Sequence, residues 1–318
     1  MLSAKQLKTI SDNMQYFYSA NEYYKKIFGN KVYKLSLNAG MTCPNRDGSI
    51  GTKGCIFCSE GGSGDFASTP SKSIYEQIDE GIALISKKYS GNKFIAYFQA
   101  FTNTYAPVER LREVYTDALN DDRICGISIA TRPDCLEDDK IELLKEINSV
   151  KPVWIELGLQ TINESTAEYI RRGYKLDVFE DTLSRLNNAG LSVIIHIIIG
   201  LPGEIHDDNI QCAIYLAALK INGVKLQLLH VLKNTDLAAD YTNRQFKEMT
   251  LKEYAKTVVD MIELFPPEFV IHRITGDGPR KLLIAPLWST DKKNVLNTIT
   301  KEFVIRNTFQ GKEYKNGC

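Results

Sequence analysis

Short, continuous apolar runs separated by amphipathic stretches constrain this chain more than any other feature. The runs are residues 32–39, 94–101 (FIAYFQAF), 126–131 (GISIAT), 153–159 (VWIELGL), 192–199 (SVIIHIII) and 225–231 (KLQLLHV). Between them, helical periodicity covers 72–89, 107–120, 137–148, 164–171 with 178–189, and 206–221. Runs that are apolar at every position, not at alternate ones, belong to strands buried on both faces. Six strand–helix units without an internal repeat predict a parallel α/β fold, either a barrel or a doubly wound sheet. Pro107, Glu137 and Asp207 sit near helix starts, where the first turn suits them. Gly190 stands where a left-handed residue would end a helix.

The polar residues gather just past the C-terminal ends of the strands. They are Gln99, Thr102, Asn103 and Thr104, then Thr131, Arg132 and Asp134, then Gln160, Glu204, His230 and Asn234. Parallel α/β proteins build their sites there. A spread over so many strands favours a barrel mouth over a single crevice.

One loop on that face carries chemistry of its own. AGMTCPNRDGSIGTKGCIFCSEGGSGDF follows the first strand and holds Cys43, Cys55 and Cys58 among glycines. Thiolates are soft ligands for iron–sulfur clusters and zinc. Three cysteines can hold three irons of a cubane and leave the fourth open to a small chelating ligand. A structural zinc site completed by a distant histidine is a second reading, although zinc sites usually show another ligand pair close by. A thioredoxin-like redox pair at Cys55-Ile-Phe-Cys58 is a third, although that motif opens a helix without an upstream cysteine. All three readings stand on the loop alone. Cys125, Cys212 and Cys318 lack ligand spacing, so no second cluster is expected. An odd total of seven cysteines argues against a disulfide scaffold and for a reducing compartment.

Lys and Arg number 39, as do Asp and Glu, so overall charge gives no hint of nucleic acid. Local patches are the place to look. Residues 3–28 read as a helix, from Leu7, Ile10, Met14, Phe17 and Tyr18, with an aromatic, basic end at Tyr23, Tyr24, Lys25 and Lys26. Residues 250–265 read as another helix, 270–280 as a strand and glycine loop, and 291–306 as a helix with Lys292, Lys293, Lys301 and Arg306. Both termini thus offer groups suited to RNA, or solvated faces only. The start lacks a signal peptide's apolar stretch, and Val193 to Gly200 is too short to cross a membrane. A soluble cytoplasmic protein is expected. His196 reads as a core histidine, His230 as a substrate-site candidate, and Cys135 as a packed thiol beside the mouth.

The cysteine loop, with an aromatic before its last cysteine, resembles the radical S-adenosylmethionine (SAM) superfamily. Eleven residues separate Cys43 from Cys55. That longer spacing resembles the branch containing the catalytic subunit of Elongator. FGNKVYKLSLNAGMTCPNRDG, FQAFTNTYAP, ATRPDC and ELGLQTINESTAEYIRRGY resemble a bacterial family in that branch. The resemblance spans roughly residues 25–280 and leaves no room for Elongator's acetyltransferase domain.

The resemblance implies a partial (β/α)6 TIM barrel of the radical SAM type with N- and C-terminal extensions. Its divisions would be 1–30, a helical extension, 31–235, the barrel core, and 236–318, an extension closing the substrate region. It implies a 4Fe–4S cluster on Cys43, Cys55 and Cys58 and SAM cleaved to a 5′-deoxyadenosyl radical. Gln99 and Thr102 would meet SAM's amino group, and Gln160 and Arg172 its polar ends. Gly200 and Glu204, in a fifth-strand motif, and Leu228 would border adenine. No catalytic residue is identified. The implied work is on the C5 side chain of the tRNA wobble uridine, turning carboxymethylaminomethyluridine into aminomethyluridine. The implied partners are tRNA and an electron donor such as flavodoxin or ferredoxin, with no membrane. The alternatives are a radical SAM enzyme acting on a small cofactor precursor and a zinc-stabilised, non-catalytic binding module.

Overall fold

The computed structural model describes residues 16–62, 64, 65, 67, 72–86 and 91–315. They fall into two compact units, one within residues 24–196 and the other made of residues 16–23 with 197–315. The first half of the helix expected at 3–28, including Leu7, Ile10 and Met14, lies outside the described residues, as does Cys318. Within the described half, helix α1 spans Ala20–Phe28.

The unit of residues 24–196 carries four whole parallel strands in chain order, β1 (Tyr33–Leu37), β2 (Phe94–Phe98), β3 (Ile124–Thr131) and β4 (Val153–Gln160), and the first five residues of β5 (Ser192–Ile199). The register pairs Leu35 with Ala96, Ala96 with Ile127, and Ile129 with Ile155. Every residue of β2 is buried, as its unbroken apolar run requires. Helices α2 (Ile74–Ile85), α3 (Val108–Leu119), α4 (Asp138–Asn148), α5 (Glu164–Tyr169) and α6 (Leu176–Asn188) fill the connections. Pro107 and Glu137 are N-caps, one position earlier than a first-turn role. Gly190 adopts φ +72 after α6, and the Leu191 amide reaches back to the Leu186 carbonyl at 3.1 Å, the expected left-handed stop.

Two clusters fill this unit. Trp154 is almost fully buried, with the Tyr24 ring edge-on at 5.2 Å and Phe28 at 6.3 Å. The other cluster is polar. Glu156 of β4 has no exposed side-chain area and forms an ion pair with Lys34 of β1. It also accepts from Ser128 Oγ of β3 at 2.6 Å and lies 2.8 Å from His196 Nε2 of β5. Buried carboxylates persist only where several donors compensate them. His196 is therefore an inward histidine satisfied by the core.

The other unit contains α7 (His206–Ala217), β6 (Gly223–Leu228), β7 (Val231–Leu232), α8 (Asp236–Thr242), α9 (Leu251–Leu264), β8 (Val270–Arg273), β9 (Leu283–Ala285) and α10 (Lys292–Arg306). Strands β6 and β8 pair in parallel, with Val224 opposite Ile271. Strands β7 and β9 form an antiparallel ribbon, with Val231 opposite Ala285. Tyr16 stacks on Phe303 at 5.2 Å, and Gln310 accepts from the Tyr18 amide at 2.8 Å. Thr250 and Glu253 form a capping box at the start of α9. Among the described residues no helix is long and apolar enough to cross a membrane.

Trp154→Ala should destabilise the protein by about 3–5 kcal/mol, because the surrounding aromatic rings cannot collapse into so large a void. Urea unfolding followed by far-UV circular dichroism measures this. A loss below about 1 kcal/mol would show that Trp154 is not the anchor of this core.

Candidate active site

The loop that leaves β1 is fastened to the ends of the neighbouring strands by backbone contacts. The Gln99 amide donates to the Leu37 carbonyl at 3.3 Å, and the Thr102 amide to Thr42 at 3.2 Å. The Phe101 amide donates to Gly62 at 2.8 Å. A Cβ on Gly62 would lie 2.3 Å from the Phe101 ring, so only glycine fits there. Phe101 itself holds φ +61, an uncommon conformation for a bulky residue. Farther along, the Ile56 amide donates to the Ile170 carbonyl at 3.1 Å. These contacts tie Cys43, Cys55 and Cys58 to the C-terminal ends of β1 and β2 and to the end of α5. All three thiols are half-buried.

Electropositive groups surround the sulfurs. Asn45 Nδ2 lies 3.5 Å from Cys55 Sγ and donates to the Arg171 carbonyl at 2.7 Å. Arg46 donates to the Ser59 carbonyl at 2.5 Å, and its guanidinium lies over the Phe101 ring at 5.7 Å. The Cys55 thiol is held down to about 6 by the hydrogen bond from Cys58, against the effect of burial, with help from Arg132, Asn45 and Arg46. Cys58 moves the other way, well above an ordinary thiol, because it donates to Cys55, is buried and faces neighbouring thiolates.

Arg172 is almost fully buried. It donates from Nε to the Tyr174 carbonyl at 2.9 Å, from Nη1 to the carbonyls of Leu159 and Thr161 at 3.3 and 2.7 Å, and from Nη2 to Glu164 at 2.9 Å. Four of its five N–H groups thus serve the protein itself. They clamp the backbone on either side of Gln160, which holds φ +69 at the end of β4. Arg132 donates to the Arg172 carbonyl at 2.9 Å and grips Asp134 with two hydrogen bonds, at 2.9 and 2.7 Å. Both guanidinium groups lie over the Tyr174 ring, at 5.0 and 4.8 Å. Gly173 holds φ +83, and a Cβ there would lie 2.6 Å from Asn45 Oδ1, so this knot seats directly on the cysteine loop.

One residue named among the strand-end polar groups received no role from the sequence. Asn103 is fully buried, and its Nδ2 donates to the carbonyls of Phe98 and Ala130 at 3.0 and 2.9 Å. Its Oδ1 has no partner among the described residues. Its position after β2 placed it on this face, but asparagine after a strand is too common to single it out from its neighbours. Thr102 beside it is also buried, and Gln99 Oε1 accepts from Ser36 Oγ at 3.1 Å.

Gly200, Glu204 and Leu228 belong to the other unit. Gly200 and Leu228 line a small, mainly apolar recess with Leu229, Val231, Phe246, Glu248 and Met249; Glu204 does not line it. In the same unit, burial pushes His230 down to about 4, and its Nε2 lies 3.2 Å from Ser289 Oγ. Burial raises the Cys135 thiol and lifts Cys125 to about 11.

Three soft donors, an N–H aimed at one of them, two nearby guanidinium groups and an orphaned acceptor in the adjoining loop fit a negatively charged iron–sulfur cluster with a cationic ligand. Among the described residues no three His, Cys, Asp or Glu side chains are set to hold a single metal ion. A cubane places its thiolates at separate corners, so it does not ask for that arrangement.

In cluster-free protein the Cys55 thiol is held below the ordinary thiol value and Cys58 above it. Iodoacetamide should therefore label Cys55 at lower pH than Cys58. Cys58 should stay slow until well above pH 9, the ordinary thiol value. Peptide mass spectrometry separates the two, and matching pH curves would contradict this electrostatic picture.

Comparison with known proteins gives these features a family. The Radical SAM superfamily model matches residues 45–213, and the Radical_SAM C-terminal domain matches residues 221–317. The uncharacterized protein YtqA of Bacillus subtilis is 42% identical over 305 residues, 96% of this chain and 95% of that protein. The tRNA uridine(34) acetyltransferase of Methanocaldococcus jannaschii is 23% identical over 165 residues, 51% of this chain and 30% of that protein. The structure of Methanocaldococcus infernus Elp3 superposes with a TM-score of 0.65 at 16% identity, covering 88% of this chain and 64% of that one. That likeness bears out the α/β partial barrel expected from the sequence. The non-catalytic zinc module is set aside. The chain belongs to the radical SAM superfamily and is an enzyme whose cofactors are a 4Fe–4S cluster and SAM.

Proposed function

We propose that Cys43, Cys55 and Cys58 hold the cluster and that the enzyme remodels the C5 side chain of the tRNA wobble uridine, turning carboxymethylaminomethyluridine into aminomethyluridine. The observation that carries the chemistry is the three-thiol loop fastened to the strand ends. The substrate rests on sequence shared with an enzyme named for tRNA uridine 34. This chain spans under a third of that relative, so acetyl transfer is not carried over. The cytoplasm, where tRNA and donors such as flavodoxin or ferredoxin are found, is the proposed place of work.

When bound, the cluster and SAM supply a one-electron cleavage that generates a hydrogen-abstracting radical. The chain's own residues hold and orient. Asn45 steadies Cys55 by its N–H, and Arg46 and Arg132 offset negative charge near the sulfurs. With SAM bound, Asn103 Oδ1 would be the acceptor for its ammonium, with Gln99 and Thr102 beside it. Gln160, next to the Arg172 clamp, would meet the polar end of SAM. Arg172 acts through that clamp, since its N–H groups are already engaged. By resemblance alone, Gly200, Glu204 and Leu228 are assigned to SAM's adenine.

Cys43→Ala, Cys55→Ala and Cys58→Ala should each reduce iron loading and anaerobic 5′-deoxyadenosine formation to background, and Cys212→Ala should do neither. A deletion strain should accumulate carboxymethylaminomethyluridine at the wobble position. An unchanged nucleoside profile would remove this substrate. Asn103→Ala should weaken SAM binding by about ten- to a hundredfold, the worth of one hydrogen bond to a charged group. Equilibrium binding, with the melting temperature followed in parallel, reads that change.

A further inference from the structure

We infer that the basic rim formed by Lys233 and residues 273–293 is the surface that grips the sugar–phosphate backbone of the RNA substrate. This rests on the RNA reading proposed above and names where that RNA is held. Lys233, Arg273, Arg280, Lys281, Lys292 and Lys293 face three acids in the same segments, Asp236, Asp277 and Asp291. In a chain whose charges cancel overall, that is a local surplus of cations. Only two of the six have an acid partner among the described residues. Lys292 lies 3.0 Å and Arg273 3.8 Å from Asp277. Lys233, Arg280, Lys281 and Lys293 are exposed and form no ion pair among the described residues.

The rim is also built. The Lys233 amide donates to the Leu282 carbonyl at 2.7 Å, which sets Lys233 beside Lys281. Arg280 Nη2 donates to the Thr290 carbonyl at 3.1 Å, which draws the loop towards Lys292 and Lys293. From below, the loop rests on His230: Cβ atoms on Gly276 and Gly278 would lie 2.4 and 3.1 Å from its ring. Cations on a braced loop lose less freedom when they meet phosphates than cations on a loose one. Lysine supplies point charge and arginine a fork, both suited to phosphate oxygens.

The test is binding of bulk tRNA to the full-length holoenzyme across a salt series, read by fluorescence anisotropy. A triple reversal, Arg280→Glu, Lys281→Glu and Lys293→Glu, should weaken binding at least tenfold near 0.1 M salt and lower the salt slope by about one per lost contact. A comparison triple on and after α1, Lys25→Glu, Lys26→Glu and Lys31→Glu, should leave affinity unchanged. RNA-independent SAM cleavage should persist in both. If wild-type enzyme binds no tRNA, the substrate reading fails and the rim with it. If wild type binds and the rim triple binds equally well, or the α1 triple loses binding instead, the rim is wrong and the substrate reading stands. Should the rim triple fail to fold, Arg280→Gln and Lys281→Gln alone decide, each expected to lower the slope by about one.

Discussion

Close backbone approach is the constraint on which the rest of the site depends. A glycine-rich loop bearing three thiols buries few apolar side chains of its own, chiefly Met41 and Ile56. It is held because Gly62 lets the Phe101 ring reach its backbone and because Gly173 lets Asn45 lie against the turn after α5. Each contact requires a missing side chain on one partner. Each also satisfies backbone groups that would otherwise be buried without partners. The uncommon conformations of Phe101, Gln160 and Arg171 fall at these same seams. Strain of this kind persists only where neighbouring contacts over-determine it. The sulfurs therefore inherit their positions from the strand ends.

The parallel strands were legible because they are buried on both faces, and that burial writes itself as unbroken apolar runs. β5 begins and ends where the run SVIIHIII does. The loop chemistry was legible because cysteines at that spacing have few uses. Other parts were not. Strands β7 and β9 hold two and three residues, too short for any period to show. Helix α8 follows a threonine cap inside a segment that otherwise reads as a loop. Arg172 was read as a ligand contact, because nothing in RRGY shows that carbonyls of the preceding strand will surround its guanidinium. The orphaned oxygen of Asn103 depends on where its amide nitrogen bonds, and only coordinates reveal that.

Arginine and tyrosine shape the neighbourhood of the thiols without touching solvent chemistry. Arg132 and Arg172 share one face of structure through Tyr174, whose hydroxyl donates to the Gly158 carbonyl. Planar guanidinium groups suit this arrangement, since they stack on a ring while their edges donate. Lysine has no such face. Positive charge is thereby brought close to the sulfurs, yet kept rigid by acceptors that belong to the fold.

The buried carboxylate of Glu156 has a different kind of consequence, one that concerns descent. Lys34, Ser128 and His196 come from three separate strands, and each contributes a donor to it. Losing one donor leaves a charge stranded in an apolar interior, whereas losing the acid strands the Lys34 ammonium. No single substitution leads smoothly from this arrangement to an uncharged one. These four positions should thus be inherited as a block among relatives, changing together or not at all, and a lineage that abandoned the block would be expected to have passed through a less stable ancestor.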